Sequence, residues 1–398
     1  MDLDARQTVI LAIFVLFLGK YLNRKIAFFR EYNIPEPVTG GVLVSLLLGL
    51  VYFLFNFNFE FQLRSRDTLL IVFFTTIGLS SKFSTLLEGG RSLVILLVLA
   101  IVYLFLQNFT GIGVATATGM GATVGVLGGS VSLSGGHGTA IAWSPIFVEQ
   151  YKIMNATEIG IACATFGLVL GGVIGGPIAK YLIQRHKLKP SDQTNLTVGV
   201  SNHNSAQKID VESVLNAILI VSIATGVGLR LNDLFVYLGL NLPQFVTALF
   251  AGIVMTNSIP LLFKGIRWPT GTPTLALLSD LSLGLFLAMS LMSLQLWTLV
   301  DLAGPILILL LAQVIVVVLF VIFVVFKLMG RDYDAAIMSS GYAGLALGAT
   351  PTAIANMTAV TKKYGAAPKA FIVVPLVGAF FIDIANAFII QFLLGYMA

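Results

Sequence analysis

Runs of about 20 apolar residues, each long enough as a helix to cross a hydrocarbon layer of about 30 Å, recur along the whole 398-residue chain. A stretch such as "LVILLVLAIVYLFL", residues 93–106, has no stable place in water unless a large core surrounds it. Only 10% of the residues are charged and 57% are hydrophobic, with a mean hydropathy of +0.96, whereas soluble domains carry about 25% charged residues. The chain therefore reads as an all-α integral membrane protein. The first run is followed by Lys20, Arg24 and Lys25 instead of a small-residue cleavage site, so a retained helix is expected and not a signal peptide. The single cysteine, Cys163, excludes an internal disulfide, and His137, His186 and His203 are too scattered to suggest a transition-metal site or a bound cofactor.

Ten spanning helices are expected, near residues 8–22, 37–55, 67–81, 92–112 and 158–182, and near 213–229, 243–262, 274–294, 303–327 and 370–394. With both termini outside, 18 of the 23 Lys and Arg residues fall in cytoplasmic segments, as the positive-inside rule requires. The net charge of +5 then reports topology and needs no nucleic acid as partner. This count works only if the segments near 121–152 and 333–363 each enter and leave on one side.

The two halves echo one another. At an offset of 213, "GGHGTAIAW" (135–143) lies over "GATPTAIAN" (348–356), Asp67 over Asp280, Gly128 over Gly341 and Tyr151 over Tyr364. Upstream, "IPEPVTG" meets "LPQFVTA" at an offset of 208. Five helices per half is an odd number, so the second half must be inserted upside down relative to the first, as in the inverted repeats of secondary transporters. The expected organisation is a first repeat over 1–183, a polar, basic cytoplasmic linker over 184–212 and a second repeat over 213–398.

Each one-sided segment has two apolar arms of about 12 to 14 residues, which at 1.5 Å per residue reach only about 20 Å. These are expected to be re-entrant hairpins whose tips, Ser134 to Gly138 and Gly348 to Thr352, meet from opposite faces. Irregular backbone at membrane depth survives only where it lines a cavity or is buried in protein, and helix N-termini at the tips offer N–H groups to an anion. Thr350 is expected as an N-cap with Pro351 at the first helical position. Hydroxyls of Ser132, Ser134, Thr139, Thr350 and Thr352 add donors, Asn356 follows one turn later, and carbonyl and hydroxyl oxygens suit a hard monovalent cation. No arginine falls in the membrane centre, so a carboxylate would be held by amides and hydroxyls.

Asp383 sits well inside the last run with Asn386 on the same helix face, and an intramembrane acid marks a functional site by default. Asp67 and Asp280 are expected near helix ends as capping groups, and Asn155 with Glu158 as a capping box. The glycines of "ATFGLVLGGVIGGP" suit close helix packing, with Thr165 able to face the site. His137 has no acid nearby in sequence to orient it, and "GGHGT" lacks the lysine of a phosphate-binding loop, so a polar contact is favoured over catalysis. The scarcity of buried acids favours sodium over proton coupling.

"YNIPEPVTGG", "LSGGHGTA", "NATEIGIACATFGLVLGGVIGGP" and "LGATPTAIANM" with "VVPLVGAFFIDIANA" resemble the bacterial sodium/glutamate symporter family over essentially the entire chain. The resemblance implies Na⁺-coupled uptake of L-glutamate across the inner membrane, a homodimer in the lipid bilayer, and an elevator motion like that of citrate-type carriers. It implies no covalent chemistry. Carried over by motif, the substrate loop falls on Ser134, Gly135, Gly136, His137, Gly138 and Thr139 and on Gly348, Ala349, Thr350, Pro351 and Thr352. Ser132 and Asn356 complete the expected substrate set, and Asp383, Asn386, Thr165, Ser134 and Thr350 form the expected sodium set. The rival readings are a Na⁺- or H⁺-coupled carrier of another dicarboxylate or citrate, a channel, and an intramembrane hydrolase.

Overall fold

The computed structural model describes residues 2–31, 34–55, 57, 59–82, 84–190, 209–237, 242–263, 268–295 and 302–397. Most of the expected linker, 191–208, lies outside the described residues. Every apolar run is helical. In the first half these are α1 (Ala5–Lys25), the short α2 (Ala27–Glu31), α3 (Glu36–Phe55), α4 (Arg64–Ser80), α5 (Ser84–Ala117), α6 (Ala122–Val126), α7 (Gly136–Glu149) and α8 (Ala156–His186). The second half holds α9 (Val211–Tyr237), α10 (Gln244–Leu262), α11 (Pro273–Met292), α12 (Ala303–Phe320), α13 (Phe326–Leu328), α14 (Tyr333–Leu347), α15 (Thr350–Tyr364), α16 (Pro368–Leu376) and α17 (Ile382–Met397). Two-residue strands β1 (Asp2–Leu3) and β2 (Glu60–Phe61) pair in parallel.

Among the described residues eight helices are long and apolar enough to cross a membrane: α1, α3, α5 from Gly90, α8, α9, α10, α11, and α12 with its continuation to Leu328. Two expected spans are missing from that set for physical reasons. Helix α4 has 17 residues, and the final run is divided by a π-helical turn at Val377–Phe381 into α16 and α17. A positive φ of 55° at Gly90 breaks α5 near its start.

The chain forms two compact units, and each draws on both halves. Unit 1 comprises residues 1–25, 35–85 and 202–295, and unit 2 comprises 26–34, 86–201 and 296–398. In unit 1, α1 packs on α3, α9 on α10, α4 on α10 and α11 on α3. Small residues mark each crossing: Gly40 abuts the Val15 carbonyl, Gly228 abuts Ala248, Gly78 abuts the Leu249 carbonyl, and Gly41 abuts Leu291. No side chain fits at these glycines, so the backbones approach closely. In unit 2, α14 is buried at every residue but Asp334 and packs against α8, α15 and α16. Gly167 and Gly171 of α8 seat Leu347 and Gly344 of α14, which is the packing expected of that glycine-rich face.

Local capping departs from expectation at several points. Ala349, not Thr350, is the N-cap of α15, so Pro351 takes the second helical position. Asn155 caps α8 by position only, since its side chain accepts no capping bond. Side-chain caps do form at Thr272, which accepts from Leu275 N at 3.3 Å, and at Asp332, which accepts from Ala335 N at 2.7 Å. Asp67 lies in the first turn of α4, where Leu63 is the N-cap, and is bound by Arg66 at 2.6 Å. Asp280 is the eighth residue of α11 and caps nothing; it lines an apolar groove of about 610 Å³ in unit 1 together with Lys20 and Glu36.

Candidate functional site

Unit 2 places both expected loops in one region. The first begins at Gly121, whose φ of +87° turns the chain into α6. It continues through a π-helical turn at Leu127–Val131, with Gly129 out of helical geometry, and reaches α7 across Gly135 and Gly136. The second runs from α14 into α15 across Gly348 and Ala349. Gly136 has a φ of +68°, and a Cβ placed on it would lie 3.7 Å from the Gly348 carbonyl oxygen. A methyl group there would just touch that oxygen, so the two breaks lie side by side. No side chain caps the N-terminus of α7 or that of α15. Both helices present uncapped first turns, which favour negative charge.

The expected ligand residues separate into engaged and available groups. Ser132 Oγ donates to Leu127 O at 2.5 Å. Ser134 Oγ donates to Gln107 Oε1 at 2.6 Å, with Ala346 O at 3.2 Å. His137 Nε2 and Thr165 Oγ1 are 3.0 Å apart, so the imidazole is held by a hydroxyl and no acid orients it as a base. Asn356 Nδ2 donates to Gly171 O at 2.8 Å. Thr139 and Gly348 are buried, Gly138, Ala349 and Thr350 half-buried, and Pro351 exposed. A Cβ on Gly378 would stand 2.6 Å from Thr350 Oγ1, so Thr350 faces that glycine. Thr352 is fully buried and its hydroxyl has no partner. An unpaired buried hydroxyl costs about 1–3 kcal/mol, which a ligand acceptor would relieve.

The acid and amide of the last helix have different surroundings. Asp383 is half-buried and makes no hydrogen bond or ion pair among the described residues. Asn386 is fully buried and committed: Oδ1 accepts from Ser130 Oγ at 2.6 Å, and Nδ2 donates to Ser130 O at 2.9 Å. Ser130 also meets Asn108, which donates to Ser130 Oγ at 2.8 Å and accepts from Ser130 N at 3.1 Å. This closed network holds the irregular turn at Leu127–Val131, whose backbone the helix ladder no longer satisfies.

Sequence reasoning missed Gln107, Asn108, Ser130 and Gln313. Gln107 and Asn108 stand side by side in the apolar run of α5, and Gln313 alone in that of α12. A buried amide in such a run must find a partner, and that was the available signal. Gln107 Nε2 donates to Ala346 O at 2.8 Å, and Gln313 Nε2 donates to Gln107 O at 2.8 Å.

A helical, multi-pass architecture with irregular, polar-lined backbone inside apolar bundles defines an integral membrane protein of the transporter class. The family model described as "Sodium/glutamate symporter" matches residues 1–366. The chain is 42% identical over 392 residues to the sodium/glutamate symporter of Escherichia coli (strain K12), covering 98% of this chain and 97% of that protein. It is 42% identical over 389 residues to the one of Haemophilus influenzae, covering 97% and 96%. The chain belongs to the sodium/glutamate symporter family.

Proposed function

We propose that this protein is a secondary active transporter that couples glutamate uptake to the sodium gradient at the bacterial inner membrane, by alternating access and without covalent chemistry. Family membership and the names of its relatives support the substrate and the ion. The single structural observation that carries the site is the apposition of Gly136, at the uncapped N-terminus of α7, and Gly348, just before the uncapped N-terminus of α15, with the unpartnered Thr352 hydroxyl buried in the first turn of α15. Two positive dipole ends and a hydroxyl suit the two carboxylates of a dicarboxylic amino acid. Asp383, an acid with no partner among the described residues, is the cation-binding group of this reading, together with hydroxyls and carbonyls of the tips. Asn386 and Ser134 are committed to protein partners here and would need to exchange them to hold an ion.

The same reading takes 121–152 and 333–363 as re-entrant hairpins, the halves as inverted repeats, and α4 and α16–α17 as the remaining two of ten spans. Three pairs of contacts support it. Val15 and Gly40 correspond to Gly228 and Ala248 at offsets of 213 and 208, and both pairs are crossing points. Gly41 with Leu291 corresponds in the same way to Leu249 with Gly78. His137 beside Thr165 corresponds to Thr350 beside Gly378. External termini, a cytoplasmic linker, a homodimer and an elevator motion of the hairpin-bearing unit complete the proposal.

Uptake of labelled glutamate into proteoliposomes with and without an inward Na⁺ gradient tests the function. Accumulation above equilibrium that requires Na⁺ is expected. Uptake that ignores Na⁺ and collapses with the proton gradient would overturn the coupling, and stronger competition by citrate than by glutamate would overturn the substrate.

A further inference from the structure

We infer that Gln107 is a positioning residue whose carboxamide clasps one hairpin tip to the other, so that the two tips act as a single site; this rests on the hairpin reading above. Gln107 is fully buried in α5. Its Oε1 accepts the Ser134 hydroxyl of the first tip at 2.6 Å, while its Nε2 donates at 2.8 Å to Ala346 O, two residues before the break at Gly348. Ser134 Oγ also lies 3.2 Å from Ala346 O, so the three groups close a triangle. The backbone of Gln107 is anchored in turn, because Gln313 Nε2 of α12 donates to its carbonyl at 2.8 Å.

A terminal amide carries a donor and an acceptor at the end of the side chain in every protonation state of its surroundings. A hydrocarbon of the same size would leave the Ser134 hydroxyl and the Ala346 carbonyl only each other, at 3.2 Å, in place of the two shorter bonds to the amide in a buried region. The clasp is also one-sided. At the offset of 213 the partners of Gln107 and Ser134 are Phe320 and Leu347, neither of which can make such a bond. One residue of the first half therefore sets both tips, and loosening it should weaken substrate and ion together.

The test uses the full-length carrier in proteoliposomes, with rates normalised to folded protein. Gln107→Met is expected to raise the glutamate KM and the Na⁺ concentration for half-maximal rate together, by about tenfold for two lost hydrogen bonds, while Vmax changes little. Combined with Ser134→Ala it should add no more than a small further change, since both act through one triangle. Asn232→Leu, which removes the buried bond from Asn232 Nδ2 to Leu242 O in unit 1, is the structural control and should lower thermal stability while leaving KM and Na⁺ dependence unchanged. A Gln107→Met carrier that behaves like Asn232→Leu, or that combines additively with Ser134→Ala, overturns the clasp.

Should Gln107→Met not fold, Ser134→Ala is read by hydrogen exchange without substrate. Faster exchange across residues 346–352, on the opposite hairpin, is expected. Unchanged exchange there overturns the proposal. The hairpin reading fails separately: if Thr352→Val leaves the glutamate KM unchanged, the tips are not the site, whereas a raised KM there with a normal Gln107→Met removes the clasp alone.

Discussion

At the residue scale, the polar side chains of unit 2 differ in what they still have to offer. Thr352 keeps an unspent hydroxyl in a fully buried position. Its replacement by valine keeps the shape and removes the donor, and a hydrogen bond to a charged acceptor contributes about 1.5–3 kcal/mol. Glutamate KM should therefore rise about tenfold or more in Thr352→Val, measured as concentration-dependent uptake at saturating Na⁺. Asp383 has the complementary character, an acid without a partner among the described residues. Asp383→Asn should shift the Na⁺ dependence of uptake to higher concentration, and an unshifted curve would remove Asp383 from the ion site. Asn386 stood beside Asp383 in the sequence argument because i and i+3 share a helix face, yet both ends of its amide are bound to Ser130. Helical periodicity gives direction, but only the packed neighbour decides whether a polar group is spent.

At the element scale, the glycines sort into two classes that composition cannot separate. At Gly40 and Gly78 a Cβ would run into a carbonyl of the facing helix, whereas nothing lies within 4 Å of one on Gly113 or Gly226. Gly40→Val should overpack the α1–α3 crossing and cost about 1–3 kcal/mol, seen as a lower thermal midpoint of detergent-solubilised protein. Gly226→Ala should be neutral or stabilising by up to about 1 kcal/mol, because alanine has the higher helix propensity. The reverse ordering would mean that close helix approach does not hold unit 1 together. The π-helical turns at Leu127–Val131 and Val377–Phe381 were invisible in the sequence. Each adds one residue to a turn without altering the apolar pattern, so hydropathy reads straight through them.

At the scale of the whole molecule, lipid forces the backbone to satisfy itself, and that makes the spans legible from apolar length alone. The proposed orientation rests on charge: with ten spans and external termini, 18 of the 23 basic residues would fall on one side, a strong bias. With the lone Cys163 replaced by alanine, a cysteine at Asp4 should react with an impermeant maleimide added to intact cells. One at Ser201 should react only after the membrane is opened. The opposite pattern would invert the proposed topology. The compact units follow no contiguous stretch of chain, since each gathers helices from both halves. The halves as read from sequence, 1–183 and 213–398, are those of the proposed repeat, and the units describe how the chain packs.

The sequence by itself determined the helical membrane class, the positions of most spans and the helix breaks at the two glycine-bearing segments, because each is written in local apolar length or glycine placement. Tertiary structure decided which polar groups are spent and which remain available, that Gly136 meets Gly348, and that Gln107 reaches Ser134 and Ala346 at once. Those facts depend on side chains separated by as many as 256 positions, as in the bond from Ser130 to Asn386. Local pattern carries no information at that separation; burial in a low-dielectric interior, where each amide must find a partner, supplies it.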